Sequence, residues 1–220
     1  KVSFKNMAGE IVLPKDKLLE SLQFARTPFC VSFQAGWFKF NLSTVHIYYG
    51  KSSGVDPQRL KEIEGMAKFL TKRATKENFN YVLLGDFNIN KVDGDYMQAL
   101  EKNGFYIPNA IKKHPTDLGQ TKHYDQIAFN LQLTDTMKVF QEKEQKSGSF
   151  NFTKSVYTES DLPDYLPLFE KKYVENRTDK QIRQYYKTKW RTFQMSDHLP
   201  LWVELKVDFS EQYLEDLKQG

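Results

Sequence analysis

Apolar residues in the first half of the chain recur first at every second position and then at every third or fourth, and that change of rhythm marks out strands and a helix. In "TPFCVSFQ", Phe29, Val31 and Phe33 alternate with smaller or polar residues, and in "WFKFNLSTVHIYY", Phe38, Phe40 and Leu42 do the same. Such alternation fits strands with one well-buried face. The two runs meet at Ala35 and Gly36, and His46 keeps the parity of the second apolar set at its far end. Asp56 and Pro57 then read as a helix start, a capping side chain followed by a residue whose missing N–H costs nothing in the first turn. Leu60, Ile63, Ala67, Leu70 and Ala74 follow at helical spacing, with Lys61, Glu64, Lys68 and Lys72 on other faces. This predicts a helix packed by one side on a sheet. The chain re-enters the sheet through "NYVLLGD", and strand, helix, strand is the rhythm of an α/β unit.

Weaker patterns complete the outline. "KVSF" and "EIVL" flank the turn-like "KNMAG" and predict a short hairpin, and "DYMQALEKNG" predicts a second helix with Gly104 at its C-cap. "HYDQIAFN" and "PLWVELKV" read as further strands. Between them, residues 141 to 193 are charged and irregular, so we expect one domain over 1 to 220 interrupted by an insertion. Inside it, "DKQIRQYYKTKW" reads as a helix whose Ile182, Tyr185, Tyr186 and Trp190 form a stripe. The stripe is expected to dock on the core with Arg183, Lys187 and Lys189 solvated beside it, the alternative being contact with nucleic acid.

Composition changes this picture little. Of 220 residues, 40% are apolar or aromatic, as in globular proteins, and 32 basic against 28 acidic residues permit an anionic partner without demanding one. Cys30 is the single cysteine, which excludes an intramolecular disulfide and a cysteine-built zinc cluster and favours a reducing compartment, the cytoplasm. No apolar run approaches the roughly 20 residues that span a bilayer. The start "KVSFKNMAGE" has neither an initiator Met nor a signal-peptide core, so the true N-terminus is expected upstream.

Chemistry gathers where strands end. In "YVLLGDFNIN" a buried strand breaks at Gly85 and delivers Asp86 and Asn88, two oxygen donors suited to a hard cation such as Mg²⁺ at the strand end where α/β folds place ligands. The alternative is an Asx turn leaving a strand. In "MSDHLPLWVEL", Asp197 can bind a cation and His198 can act as acid, base or donor to a phosphoryl oxygen, unless the segment is simply a capped turn. Asp125 heads the apolar strand of "HYDQIAF", where an unpaired carboxylate is costly, and an imidazole such as that of His198 would serve as its partner, the alternative being a satisfied surface Asp. Arg26 in "FARTPF" offers a planar donor fork matched to phosphate, the alternative being a surface arginine with no role. With His46, five strand ends carry groups compatible with phosphate or metal.

"GDFN" and "SDHLP" in that order, with "YDQI" between them and "RTP" and a strand-end His before them, resemble the endonuclease/exonuclease/phosphatase superfamily, the deoxyribonuclease-I-like fold. "ARTPF" and "STVHIYYG" look most like its deoxyribonuclease and bacterial nuclease branch, and the resemblance covers residues from about 22 to 207, leaving the charged insertion and the last helix unmatched. It implies an α/β two-sheet sandwich flanked by helices in four layers. It further implies Mg²⁺-dependent hydrolysis of phosphodiesters, with Mn²⁺ or Ca²⁺ as alternative ions and nucleic acid as substrate. Position by position, it implies Asp86 and Asp197 as metal ligands, His46, Asn88, His198 and Arg26 facing phosphate, and Asp125 orienting His198. Alternatives are a phosphomonoesterase acting on phospholipid or sugar phosphates, and a non-catalytic phosphate-binding module. The family's early Asn-ending strand and metal-binding Glu have no counterpart, so the chain is expected to be the C-terminal two-thirds of such a domain. The apolar sheet face left open would then be covered by an N-terminal segment or by self-association, or in part by Tyr185, Tyr186 and Trp190.

Overall fold

The computed structural model describes residues 8–10, 24–132, 146–208 and 210–219. In chain order the elements are β1 (Ala8–Glu10), β2 (Phe29–Ala35), β3 (Phe38–His46), α1 (Pro57–Glu77), β4 (Asn80–Asp86), α2 (Asp95–Lys102), α3 (Asn109–Lys112), β5 (Asp125–Asn130), β6 (Ser147–Ser149), α4 (Leu162–Tyr165), α5 (Asp179–Tyr185), α6 (Arg191–Gln194), β7 (Leu201–Val203) and α7 (Ser210–Gln219). Strands β1 to β5 form one sheet in sequence order, and β6 and β7 form a second, two-stranded sheet. Only β3 and β4 run parallel, because the crossover helix α1 returns the chain to the same end; every other neighbour is antiparallel. The architecture is mixed α/β, two sheets with flanking helices.

Period two sorts the large sheet into two faces. Cys30, Ser43, Val45, Tyr81, Leu83 and Ala128 point to the face beneath α1 and are almost wholly buried. Tyr81 and Asn130 on that face bond to Glu77 and Thr71 of α1, which locates the helix over it. The helix buries Ile63, Met66, Ala67, Leu70 and Ala74 there, starts with Asp56 capping Gln58 and Arg59, and ends at Asn78 in the left-handed region. The opposite face carries Leu42, Val82, Leu84, Ile127 and Phe129, and Leu201, Val203, Leu205 and Val207 pack on the same core. Val207 reaches the turn between β2 and β3, where its carbonyl accepts the Trp37 N–H. Further out on this face Phe29 and Phe33 remain 44% and 45% exposed. No helix among the described residues is long and apolar enough to cross a membrane.

Four expectations need correction. The N-terminal hairpin falls mostly outside the described residues, and Ala8–Glu10, within and beside its supposed turn, instead forms an edge strand on β2; pairing with a neighbour, not its own alternation, makes it a strand. "PLWVELKV" pairs only over Leu201–Val203, because β6 supplies just three partners. The insertion is not irregular throughout, for Ser147–Ser149 is that partner. Nor does the aromatic stripe dock on the sheet. Tyr186 and Trp190 are buried with Leu162 and Phe169 in a cluster of their own, closed by Tyr157, Tyr165 and Tyr185. Trp190 lies 5.1 Å from the rings of both Tyr165 and Phe169, so the segment is aromatic enough to build its own nucleus. The helix through it passes one turn of π geometry at Tyr186–Trp190.

Candidate active site

Register places three titratable side chains in a row. His46 pairs with Asp86 across the parallel strands β3 and β4, and Asp86 pairs with Asp125 across β4 and β5, so all three leave the same face at the same sheet end. His46 Nε2 lies 3.4 Å from Asp86 Oδ2. The fourth member arrives from the other sheet: His198 Nδ1 is 2.7 Å from Asp125 Oδ2, and its Nε2 is 4.0 Å from Asp86 Oδ2. Two imidazoles therefore turn their Nε2 atoms toward one carboxylate oxygen.

The loop before β7 is pinned on several sides. Leu199 N–H donates to the Thr116 carbonyl at 2.6 Å, His198 N–H donates to Ser196 Oγ, and the Tyr124 ring stacks 5.4 Å from the imidazole. Thr116 Oγ1 in turn accepts the Asp125 N–H, so one threonine ties the loop to the head of β5. The Asp125 hydrogen bond raises the His198 pKa to about 9 against the opposing effect of burial, with the charges of Asp125, Asp86 and Asp197 adding to it. The imidazole is thus a cation at neutral pH. Burial pushes the Asp86 carboxyl up, while the Asn88 N–H and the two imidazoles hold it down.

The turn after β4 explains its own sequence. Gly85 has φ +135, and a Cβ there would stand 2.1 Å from the Val45 carbonyl oxygen, so only glycine lets β4 run against β3 up to Asp86. Asn88 adopts φ +54, its N–H donates to Asp86 Oδ1 at 2.8 Å, and its Nδ2 donates to the Ile47 carbonyl at 2.8 Å. This is an Asx turn, one of the two alternatives open for "GDFN", and it fixes the carboxylate so that Oδ2 faces the histidines. Asn88 keeps its side-chain oxygen as an acceptor.

Neither a family model nor a curated protein matches the chain by sequence. Solved structures do match. An endonuclease/exonuclease/phosphatase family protein from Bacteroides thetaiotaomicron superposes with a TM-score of 0.50 at 15% identity over 93% of this chain and 67% of that one. The chain has the endonuclease/exonuclease/phosphatase fold. A mannosyl-6-phosphatase from the same organism gives a TM-score of 0.50 at 15% identity, covering 90% of this chain and 65% of that chain. A conserved protein from Enterococcus faecalis described as functionally unknown gives 0.50 at 14% identity over 91% and 66%. The chain thus spans about two thirds of the length of these three solved structures.

Within this endonuclease/exonuclease/phosphatase fold, the structure brings His46, Asp86, Asn88, Asp125 and His198 together at one sheet end. Asp197 precedes His198 in the same loop with its side chain exposed; its carbonyl accepts the Leu118 N–H, and its charge acts on the imidazole. Arg26 precedes β2 at the same sheet end as His46, with its side chain exposed. No motif in the sequence marks Thr116, and Tyr124 is marked only by its place beside Asp125 at the head of a strand. Ligand atoms of Asp86, Asp125 and His198 lie within 4.8 Å of one another. Hard carboxylate oxygens, one of them facing two imidazoles, fit a divalent cation that keeps most of its waters.

Proposed function

We propose that this chain hydrolyses phosphoester bonds with the help of a divalent cation, Mg²⁺ by the chemistry of the donors, and that its substrate is a phosphodiester of nucleic acid. The observation that carries the reading is the His198 imidazole, held through Nδ1 by Asp125 at 2.7 Å with Nε2 turned toward Asp86 Oδ2, a pairing that favours its charged form. A bound cation, held by Asp86 and Asp125, would neutralise phosphate charge and acidify a water. The chain's own groups supply the rest. His198 Nε2 donates to a non-bridging phosphoryl oxygen and so offsets the charge that grows on it as the water oxygen bonds to phosphorus and the ester P–O bond breaks. His46, on the other side of the same carboxylate, orients the phosphate, and Asn88 offers its side-chain oxygen as an acceptor for the attacking water. No side chain needs to form a covalent bond.

Nucleic acid is supported by the likeness of "ARTPF" and "STVHIYYG" to the nuclease branch and by the net charge of +4. A second reading, a phosphomonoesterase, is supported by the mannosyl-6-phosphatase among the similar structures. The test is Mg²⁺-dependent nicking of supercoiled DNA run beside phosphate release from sugar phosphates, with chelator and His198→Ala as controls. Nicking lost in both controls supports the diesterase, and phosphate release alone replaces it with the monoesterase. DNA binding unchanged by His198→Ala without any cleavage would replace both by a binding module.

A further inference from the structure

Three charged side chains that ordinary surfaces keep in water are buried at the start of α1. Asp56, Arg59 and Glu62 are 6%, 0% and 5% exposed, and their spacing of three residues sets them on one face of the helix. Arg59 gives its guanidinium hydrogen bonds to three carbonyls: Nε to Tyr48 at 3.2 Å, Nη2 to Lys51 at 2.9 Å and Nη1 to Asn88 at 2.9 Å. The rings of Tyr49 and Tyr96 stand 5.1 and 4.8 Å from its Cζ. Glu62 accepts the Tyr48 N–H through Oε2, and the Ala25 N–H and Gln58 Nε2 through Oε1. Asp56 accepts the Lys51 N–H beside its capping bonds.

Capping and solubility do not account for this set. The groups gripped belong to three loops, and each loop carries a site residue: Ala25 adjoins Arg26, Tyr48 follows His46 by two positions, and Asn88 is itself in the site. A planar fork is the one side chain that can hold three carbonyls from two loops at fixed angles, and carbonyls gripped by a buried cation move little. The geometry points to Arg59 as a positioning residue that, with Glu62, sets His46 and Asn88 at their distance from Asp86. This rests on the hydrolytic reading above for its consequence in rate, not for its geometry.

The test uses the full chain with Mg²⁺ and bis(4-nitrophenyl) phosphate, comparing Arg59→Lys, Arg59→Ala and Glu62→Gln with the parent. A lysine keeps the charge but reaches one carbonyl in place of three, so kcat is expected to fall about 50-fold with KM within about threefold. Guanidinium ion added to Arg59→Ala restores at least about tenfold of the loss, and ammonium does not. In Arg59→Lys the imidazole resonances of His46 and the side-chain amide of Asn88 shift while those of His114, outside the site, stay. Should Arg59→Ala fail to fold, Arg59→Lys and Glu62→Gln carry the test. A folded Arg59→Lys with kcat within about twofold of the parent overturns the proposal. If the parent hydrolyses nothing, the hydrolytic reading fails by itself, and the His46 and Asn88 resonances decide the positioning role: unchanged in Arg59→Lys, they overturn it.

Discussion

Replacing Asp125 by Asn removes the charge that sets the state of His198 and leaves the shape nearly alone. In the parent chain the imidazole titrates at about 9 in place of 6.5, chiefly through the 2.7 Å bond from Nδ1 to Asp125 Oδ2. That is a difference of about 2.5 pH units, and at about 1.36 kcal/mol per unit it is worth about 3 kcal/mol. Since folding raises this pKa, the stabilisation is fully present below pH about 6.5 and drains away as the pH climbs through about 9. In Asp125→Asn the charges of Asp86 and Asp197 still pull the pKa up and burial still pulls it down, so His198 returns to within about one unit of 6.5. Two measurements on metal-free protein follow the change, an NMR titration of the His198 Cε1–H and urea unfolding at pH 6 and pH 10. The variant should be less stable by about 3 kcal/mol at pH 6, with the gap narrowing to under about 1 kcal/mol at pH 10. A His198 that still titrates near 9 in the variant, or a stability gap that does not depend on pH, would refute the assignment of that charge to Asp125.

Three other substitutions probe separate parts of the molecule. Gly85→Ala puts a Cβ 2.1 Å from the Val45 carbonyl at φ +135, which should cost more than about 3 kcal/mol of stability in urea; a loss under about 1 kcal/mol would show that β3 and β4 can part at no cost. Asp86→Asn should weaken Mg²⁺ binding by about 100-fold or more in calorimetry, whereas Asp197→Asn, exposed in the structure, should change it by less than about tenfold. Equal losses would place Asp197 among the ligands after all. Trp190→Ala opens the aromatic cluster of the insertion and should remove about 3 to 5 kcal/mol from it, seen as faster amide exchange over residues 152 to 194 with the large sheet still protected. Uniform loss of protection would mean that the cluster and the sheet unfold as one.

What the sequence makes legible is what repeats. The hairpin of β2 and β3 and the helix α1 with its Asp56 cap each carry several copies of one period, and the buried strand β4 carries an unbroken apolar run, so their local pattern and their place in the fold agree. β1 and β7 are strands of three residues and have no room for a period; their state is set by partners, β2 and β6, that no local pattern names. The aromatic stripe of the insertion is legible as a helix face but not as the core of a separate cluster, because amphipathicity states that a face is buried and not against what. In the site, residue types and strand-end positions are legible, since carboxylates and imidazoles are costly where strands are apolar. The parallel register that sets His46 beside Asp86 is not, and neither is Arg59, which looks in the sequence like any solvated arginine on a helix.

Register also carries an electrostatic cost, and that cost shapes the site. Asp86 and Asp125 stand directly opposite each other on adjacent antiparallel strands, an arrangement that like charges ordinarily avoid. Burial and the Asp125 charge both push the Asp86 carboxyl up, while the Asn88 N–H and the imidazoles of His198 and His46 hold it down. His198 relieves the pair by donating its Nδ1–H to Asp125, yet in doing so it spends its Nδ1 and leaves Nε2 turned toward Asp86 Oδ2. The protein thus resolves a repulsion with a cation of its own, and the same step arms that cation toward an anionic ester. A divalent ion beside Asp86 would take over part of the neutralisation, so structural relief and candidate catalysis depend on the same four side chains.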